Sequence, residues 1–342
     1  MIKIGLNGFG RIGRITLRVI LAKYLSHVKV VIVNTSGSMD ISGWAHLFEY
    51  DSVYGQFKGK VSFETNTKKS APEIGTLVVN HQRIPVLAER EPGKIPWKRY
   101  GADVVLEATG VFRDRQTIAA HFQGGAKKII VAAPAKDVQT FVVGVNQEKY
   151  QNHLILSNAS CTTNCVAPIT KVMKENFGVL KAMMTTTHAY TSDQELVDGS
   201  HHDLRRARAA AINIVPTSTG ATVATTEVLP SLKGLFAGLS LRVPVVCGSL
   251  ADFCFLTTHP TSVEKVNQAF KKAAAQKYKG IIAVSDQPLV SSDIIGNSAS
   301  AVVDLSLTQV IDNDLVKVVA WYDNEWAYAC RLVEQIIWVS KH

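Results

Sequence analysis

The chain has 342 residues, of which 46% are apolar and 19% charged, with a formal net charge of +9. This composition predicts an ordinary globular protein of about two domains, and the lack of an apolar run of about 18 residues or of a signal-peptide core predicts a cytoplasmic protein without a membrane span. The positive charge admits nucleic acid or a small anionic substrate as partner, but the densest basic stretch, residues 205–208, is short, so nucleic acid is not expected as the primary partner.

The first elements in chain order form a βαβ pattern. Residues 1–6 are predicted to be a strand, ITLRVILAKYL at 15–25 has helical periodicity, and the β-branched run at 28–34 is typical of a strand buried on both faces. The loop between the strand and the helix contains GxGxxG, starting at Gly8. In this context the motif predicts dinucleotide binding, because the glycines permit a tight turn and let a pyrophosphate reach the helix N-terminus. A purely structural glycine turn is the alternative.

The end of the second predicted strand affects the choice of cofactor. A carboxylate there would hold the ribose 2′-hydroxyl of NAD, whereas this chain has Thr35 and Ser36, and its next acidic residue is Asp40. Hydroxyl groups do not repel a 2′-phosphate, so the position permits NADP. Conventional NAD binding through Asp40 or Asn34 remains an equal alternative on this feature.

The pattern changes after residue 160. Strands of an antiparallel or mixed sheet are predicted at 180–191, 239–246 and 249–257, helices at 161–175, 207–213 and 263–275, further parallel strands at 102–110 and 127–135, and an apolar C-terminal helix at 326–342. The predicted fold class is therefore α/β, with a Rossmann doubly wound parallel sheet and an α+β catalytic domain whose sheet is mainly antiparallel or mixed. We expect residues 1–160 and 326–342 to form the cofactor domain and residues 161–325 the catalytic domain.

Two of the five cysteines stand close together, Cys161 and Cys165 in SNASCTTNC. Ser160 is the expected helix N-cap, which places Cys161 in the first turn, where the helix dipole should lower its pKa. Cys165 is predicted to be a packing residue, or else a partner that traps oxidised Cys161. No metal site is expected, because this spacing is unusual for zinc. His188 is the candidate base if the fold brings it to Cys161, and otherwise a structural histidine.

Six segments carry a resemblance to one enzyme family. They are NGFGRIGR at 7–14, SNASCTTNC at 157–165, THAYT at 187–191, DLRRARAAAINIVPTSTGA at 203–221, LRVPV at 241–245 and WYDNEWAY at 321–328. Together they resemble the phosphorylating glyceraldehyde-3-phosphate dehydrogenases over essentially the whole chain. The resemblance implies that D-glyceraldehyde 3-phosphate is oxidised to 1,3-bisphosphoglycerate, with Cys161 as nucleophile, His188 as base, and a thioester that inorganic phosphate cleaves. Glycolysis, gluconeogenesis and carbon fixation all remain possible settings.

The resemblance also implies the binding residues. Those for NADP or NAD are Gly8, Gly10, Arg11, Ile12, Gly13, Thr35, Ser36, Arg90, Thr109, Gly110, Ser200, Asn324 and Tyr328. Those for the substrate phosphate and inorganic phosphate are Ser160, Thr162, Thr191, Arg206, Thr219, Gly220 and Arg242. Asn324 matches the residue that fixes the nicotinamide carboxamide, and Tyr328 packs by the ring. A homotetramer is implied as well, with the loop at 190–205 reaching toward a neighbouring subunit's cofactor.

Departures from the family pattern concern the cofactor. Thr35 stands where NAD-specific members carry an aspartate, and Gly199 and Ser200 replace a Leu-Pro pair, as in NADP-using photosynthetic members. Both changes favour NADP or dual use, with modest discrimination, because no arginine or lysine stands beside Thr35 in the sequence. The alternatives are an erythrose-4-phosphate dehydrogenase, which generally lacks the tyrosine and threonine of residues 188–191, and a secondary RNA-binding role.

Overall fold

Contacts within the chain group it into two units in the computed structural model, which describes residues 1–66 and 72–342. The first unit contains residues 1–140, 150–159 and 329–342, and the second contains 141–149 and 160–328. The sequence patterns did not indicate that residues 141–149 belong with the second unit. The domain boundaries at 160 and 326 remain a prediction.

The first unit is built on a mostly parallel sheet. Its elements are β1 (Ile2–Asn7), α1 (Arg11–Val19), β2 (Val28–Asn34), α2 (Ile41–Glu49), β3 (Val61–Thr65), β4 (Glu73–Val79), β5 (Gln82–Leu87), β6 (Val104–Glu107), α3 (Arg115–Ala119), β7 (Lys128–Val131), β8 (Gln139–Thr140) and β9 (Ile155–Ser157). Among the described residues the strand order is β3-β4-β5-β2-β1-β6-β7-β9-β8. The doubly wound parallel sheet is confirmed, since β1 pairs in parallel with both β2 and β6. The antiparallel excursion through β3 and β4 was not predicted.

The turn from β1 into α1 depends on two glycines. Gly8 has φ +99°, a backbone conformation that residues with a side chain rarely adopt. A Cβ on Gly13 would lie 2.1 Å from the Gly8 carbonyl oxygen. The helix can therefore approach the strand end closely. Gly10 is the N-cap residue, so no side chain caps the helix N-terminus.

The second unit contains a mixed sheet flanked by helices. Its elements are α4 (Cys161–Phe177), β10 (Lys181–Ala189), β11 (Val215–Thr217), α5 (Ala221–Val228), β12 (Phe236–Val243), β13 (Ser249–Leu256), α6 (Val263–Ala275), β14 (Ile282–Ser285), β15 (Ala301–Asp304), β16 (Gln309–Ile311) and β17 (Leu315–Tyr322). The described strands run in the order β11-β12-β10-β13-β17-β15-β14, with β16 on β17. β10 is parallel to β12 and antiparallel to β13, which confirms the mixed sheet.

One predicted helix is wrong. The stretch 207–213 forms only a short 3-10 turn at Ala210–Ile212. Its N–H groups are used by the preceding loop, since Ala209 N donates to Asp198 Oδ1 and Ala210 N to the Glu195 carbonyl. These bonds replace the i to i−4 ladder that a helix needs.

The predicted C-terminal helix is present as α7 (Trp326–Val339). Its residues from Ala329 onward belong to the first unit, where the Tyr24 hydroxyl donates to Glu334 Oε1 at 2.7 Å and Lys128 Nζ donates to the Val339 carbonyl at 2.6 Å. Within residues 1–66 and 72–342, no helix is both long and apolar enough to span a membrane.

Candidate active site

Cys161 is the first residue of α4. Ser160 is the N-cap, as predicted, and its Oγ accepts a hydrogen bond from Thr163 N at 3.0 Å. Cys165 lies one turn later and is buried. The local sequence therefore holds one thiol at the helix start, half-buried, and keeps the other inside the protein.

His188 lies near the end of β10 and faces this thiol. Cys161 Sγ is 3.4 Å from His188 Nε2, and the His188 ring is buried. The other ring nitrogen, Nδ1, is 2.6 Å from the Ala189 carbonyl oxygen. A carbonyl only accepts hydrogen bonds, so Nδ1 carries the proton in the neutral ring. Nε2 is then free to accept the thiol proton.

Arg242 completes this arrangement from the neighbouring strand. The parallel register of β10 and β12 sets His188 opposite Arg242. Arg242 Nη1 donates to the Ala189 carbonyl and to Thr191 Oγ1, both at 3.2 Å, and lies 3.3 Å from His188 Nδ1. The structure thus brings Thr191 and Arg242 together beside the imidazole.

The electrostatics correct one expectation. Burial raises the pKa of the Cys161 thiol, although the Arg242 guanidinium acts in the opposite direction. Burial and the same guanidinium lower the pKa of His188 to about 3. The predicted lowering of the thiol pKa is wrong for this state, because the helix terminus contributes only about 0.3–1 kcal/mol and desolvation outweighs it. The resting pair is therefore a neutral thiol that donates to a neutral imidazole.

Sequence reasoning missed Tyr322, at the end of β17. Its buried hydroxyl lies 3.0 Å from Thr162 Oγ1 and 2.8 Å from Thr186 Oγ1, and its ring meets the His188 ring edge-on at 6.0 Å. The tyrosine thereby ties the first turn of α4 to β10. The aromatic cluster at 321–328 was a signal that could have indicated it.

Asn324 has a fixed amide orientation. Its Oδ1 accepts from Ser249 Oγ at 2.9 Å and from Gly248 N at 3.2 Å. The amide nitrogen, Nδ2, therefore points away from Gly248 and Ser249, with its N–H groups as donors. Ser249 Oγ in turn accepts from Ala189 N at 3.1 Å. Ser249 was also missed, because a single serine at a strand start carries no distinctive pattern. Tyr328 is buried, which raises its pKa.

The other predicted phosphate ligands differ in availability. Arg206 is held by Asp193 and donates to Thr217 Oγ1 at 2.8 Å, so much of its hydrogen-bonding capacity is used within the loop. Thr219 and Gly220 precede α5, whose N-cap provides no side-chain hydrogen bond. Ser200 is exposed in the loop that follows β10.

A separate cavity of about 610 Å³ lies in the first unit at the carboxyl ends of its strands. The predicted cofactor residues that line it are Gly8, Gly10, Thr35, Ser36, Arg90 and Thr109. A Cβ on Gly8 would lie 2.8 Å from backbone atoms of residues 108 and 109, whereas a Cβ on Gly10 meets no atom within 4 Å. The loop is thus tight toward the protein and open toward the cavity, which fits a diphosphate at the N-terminus of α1.

Several other residues considered for cofactor binding in this unit do not line the cavity. Arg11 and Ile12 begin α1, where the Arg11 guanidinium pairs with Asp51 at 2.6 Å. Gly110 is exposed with φ +72°. Asp40, considered above as a ribose ligand, instead caps α2 by accepting from Gly43 N at 2.9 Å.

The end of β2 differs from expectation in two respects. The Thr35 hydroxyl is buried and donates to the Leu87 carbonyl at 3.0 Å. Arg90, which follows β5, donates from Nε to the Ser36 carbonyl at 3.3 Å and lines the same cavity as Thr35. Arg90 therefore lies near Thr35 in the fold although it is distant from Thr35 in the sequence, because β5 and β2 are neighbours.

Comparisons with known proteins identify the family of this chain. The family model described as "Glyceraldehyde 3-phosphate dehydrogenase, NAD binding domain" matches residues 2–115, and "Glyceraldehyde 3-phosphate dehydrogenase, C-terminal domain" matches residues 160–324. The chain is 48% identical to a glyceraldehyde-3-phosphate dehydrogenase of Streptomyces coelicolor, over 99% of this chain and 98% of that protein. It is 49% identical to the chloroplastic glyceraldehyde-3-phosphate dehydrogenase B of Pisum sativum, over 97% of this chain and 73% of that protein. A glyceraldehyde-3-phosphate dehydrogenase of Mycobacterium avium is 48% identical to the chain, over 99% of this chain and 99% of that protein.

The NAD-binding domain and the cavity at its strand ends place the chain among oxidoreductases that use NAD or NADP. More specifically, the chain belongs to the glyceraldehyde 3-phosphate dehydrogenase family.

Proposed function

We propose that this protein oxidises D-glyceraldehyde 3-phosphate and phosphorylates the product to 1,3-bisphosphoglycerate. The observation that carries the proposal is the 3.4 Å distance between Cys161 Sγ and His188 Nε2, in a chain with an NAD-binding domain. A thiol and a base at this distance suit covalent catalysis on a carbonyl carbon.

The proposed reaction starts with proton transfer from Cys161 Sγ to His188 Nε2. The sulfur attacks the aldehyde carbon, a C–S bond forms, and the carbonyl oxygen takes the proton back from His188 to give a hemithioacetal. His188 then removes that hydroxyl proton as the C–H bond breaks and a thioester forms on Cys161. The cofactor, when bound, accepts the hydride that leaves this carbon.

Phosphate completes the proposed cycle. An oxygen of inorganic phosphate attacks the thioester carbon, the C–S bond breaks, and the acyl phosphate leaves. The departing Cys161 sulfur takes back the proton that His188 removed from the hemithioacetal, and the proton of the attacking phosphate is released to solvent. Arg242 and Thr191 lie together beside His188, which suits an anionic group, because a guanidinium donates to phosphate oxygens from a fixed plane. Ser160, Thr162, Thr219 and Gly220 are proposed for the attacking phosphate, with Arg206 in a supporting position.

For the cofactor we propose NADP or dual use. The ribose end of the cavity presents Ser36 and Arg90, a hydroxyl and a cation that suit a 2′-phosphate. Thr35 adds no negative charge there. Asn324 is proposed to donate from Nδ2 to the nicotinamide carboxamide, with Tyr328 beside the ring, and Ser200 to serve a neighbouring subunit.

We further propose a cytoplasmic homotetramer. The loop at 190–205 exposes Leu196, Val197 and Leu204 at 75%, 70% and 81%, which is unusual for solvent-facing apolar side chains close together and suits a subunit interface. All five cysteines lie within the described residues and none is in a disulfide bond, as expected in a reducing compartment. Sedimentation as a monomer would contradict the tetramer.

The deciding experiment measures initial rates with glyceraldehyde 3-phosphate and phosphate or arsenate, in parallel with NAD and NADP. We expect turnover that Cys161→Ser abolishes, with cofactor binding retained, and that His188→Gln lowers by about 10²–10⁴-fold, as for loss of a general base. Erythrose 4-phosphate serves as the competing substrate, and a higher kcat/KM with it would overturn the substrate assignment. Unimpaired turnover by Cys161→Ser would overturn the covalent mechanism.

A further inference from the structure

A buried polar chain runs beneath the cofactor cavity of the first unit. Trp97 Nε1 donates to His121 Nδ1 at 3.1 Å, and His121 Nε2 lies 3.1 Å from Glu107 Oε2. Trp97 and His121 are fully buried, and Glu107 is 2% exposed. A carboxylate and an imidazole so deep in a parallel sheet need a full set of hydrogen-bond partners.

The direction of each hydrogen bond between Trp97, His121 and Glu107 follows from the indole of Trp97. An indole N–H only donates, so His121 Nδ1 must be the accepting nitrogen. His121 Nε2 then carries the proton and donates to Glu107. A doubly protonated ring would set an N–H at Nδ1 against the indole N–H, so the bonds require the neutral imidazole.

Glu107 connects these buried hydrogen bonds to residues that line the cavity. Its Oε2 also accepts from Asn7 Nδ2 at 2.5 Å, while its Oε1 accepts from Thr109 N at 2.8 Å and from the Thr109 hydroxyl. Asn7 Oδ1 accepts from Asn34 Nδ2 at 2.7 Å. Asn7, Asn34 and Thr109 all line the cavity. The orientations of Asn7 and Thr109 depend on the buried Glu107 carboxylate, whereas the Asn34 amide is also held by the Glu89 backbone, which accepts from Nδ2 at 2.8 Å and donates to Oδ1 at 3.0 Å.

We propose that Glu107 and His121 are positioning residues for the dinucleotide. Neither lines the cavity. They fix which atoms of Asn7 and Thr109 face it, and they hold the ends of β1 and β6 at one spacing. Cofactor affinity therefore depends on an acceptor with two oxygens at position 107 and on a residue at position 121 that accepts from Trp97 and donates to Glu107. The proposal rests on dinucleotide binding alone and does not require the proposed reaction.

Substitutions at position 121 separate positioning from packing. His121→Gln can accept from Trp97 through its amide oxygen and donate to Glu107 through its amide nitrogen, so it preserves the direction of both hydrogen bonds. His121→Leu fills the space and does neither. Glu107→Gln keeps the size but offers one oxygen to four donors. Thr16→Val is the matched control, because Thr16 is fully buried in the same unit and its hydroxyl has no hydrogen-bond partner within the described residues.

The measurement is the dissociation constant of NAD and of NADP for the full-length protein by calorimetry, together with the urea unfolding midpoint. Glu107→Gln and His121→Leu should raise both dissociation constants about tenfold or more, with kcat at saturating cofactor within about twofold. His121→Gln and Thr16→Val should stay within about threefold of the parent protein.

Three results would overturn the proposal. One is equal cofactor affinity for His121→Gln and His121→Leu. Another is a lower unfolding midpoint for Glu107→Gln with unchanged dissociation constants. The third is failure of both Glu107→Gln and His121→Leu to fold, which would assign the network to folding. Normal cofactor binding by a parent protein that does not turn over glyceraldehyde 3-phosphate would count against the proposed function and would leave this proposal standing.

Discussion

Removal of the Arg90 charge should lower the efficiency with NADP selectively. Arg90 is exposed, lines the cavity and donates to the Ser36 carbonyl at 3.3 Å. A hydrogen bond to a charged group contributes about 1.5–3 kcal/mol, which solvent screening at an exposed position reduces to about 1–2 kcal/mol. Arg90→Met should therefore lower kcat/KM with NADP about 5–30-fold, and the loss of the bond to Ser36 should change the NAD value much less.

The assay is steady-state kinetics with each cofactor at several salt concentrations. Added salt should weaken NADP use by the parent enzyme more than by Arg90→Met, because only the former has the guanidinium. Arg99→Met is the matched control, since Arg99 is exposed and stacks over the Tyr100 ring at 5.8 Å, away from the cavity. An equal loss with both cofactors, or no loss with NADP, would refute the assignment of Arg90 to the 2′-phosphate.

Three further changes test the site. Ser249→Ala should lower the free energy of unfolding, measured in urea, by about 1–3 kcal/mol, because Ala189 N–H loses its acceptor. In steady-state kinetics the same change should raise the KM for cofactor more than the KM for aldehyde. Arg242→Gln should raise the pKa of Cys161, since the guanidinium now lowers it, so iodoacetamide should alkylate the thiol more slowly at neutral pH, with the profile displaced to higher pH. Gly13→Ala should weaken cofactor binding in calorimetry, because its Cβ would lie 2.1 Å from the Gly8 carbonyl oxygen.

Ser249→Ala has a matched control, and each of the other two changes has an outcome that would contradict its prediction. Ser240→Ala removes a buried hydroxyl that has no hydrogen-bond partner among the described residues, and its unfolding free energy should change by less than about 0.5 kcal/mol. If Ser249→Ala behaved like Ser240→Ala, the bridge from Ala189 to Asn324 would have no energetic role. Faster alkylation in Arg242→Gln would reverse the sign assigned to that cation, and normal cofactor affinity in Gly13→Ala would contradict the tight-loop argument.

The parallel sheet could be predicted from sequence because its strands are continuous apolar runs. The run at 28–34 coincides with β2, and the GxGxxG loop lies between β1 and α1. β3 could not be found in this way, because it has only five residues, nearly all of them exposed, and its apolar side chains are limited to Val61 and Phe63. The false helix at 207–213 came from alanine propensity, which the hydrogen bonds of the surrounding loop overrode.

The active-site residue types could be predicted, but their distances could not. The Cys161 segment indicated a thiol at a helix start, and His188 stood out among polar neighbours. The proximity of His188 and Arg242 depends on the parallel register of β10 and β12, whose strands are separated by more than 45 residues of chain. No local pattern specifies such a pairing.

The thiol shows why a local rule can give the wrong sign. A helix N-terminus favours the thiolate by a fraction of a kcal/mol to about 1 kcal/mol, whereas burial disfavours any charge there more strongly, and burial is the dominant cause of the raised pKa of Cys161. Arg242 lowers the pKa of Cys161 and also that of His188, so its charge stabilises the thiolate and destabilises the imidazolium. These two effects oppose each other when a proton moves from sulfur to nitrogen. An anion that neutralises Arg242 therefore changes each pKa more than it changes the free energy of the proposed proton transfer from Cys161 to His188.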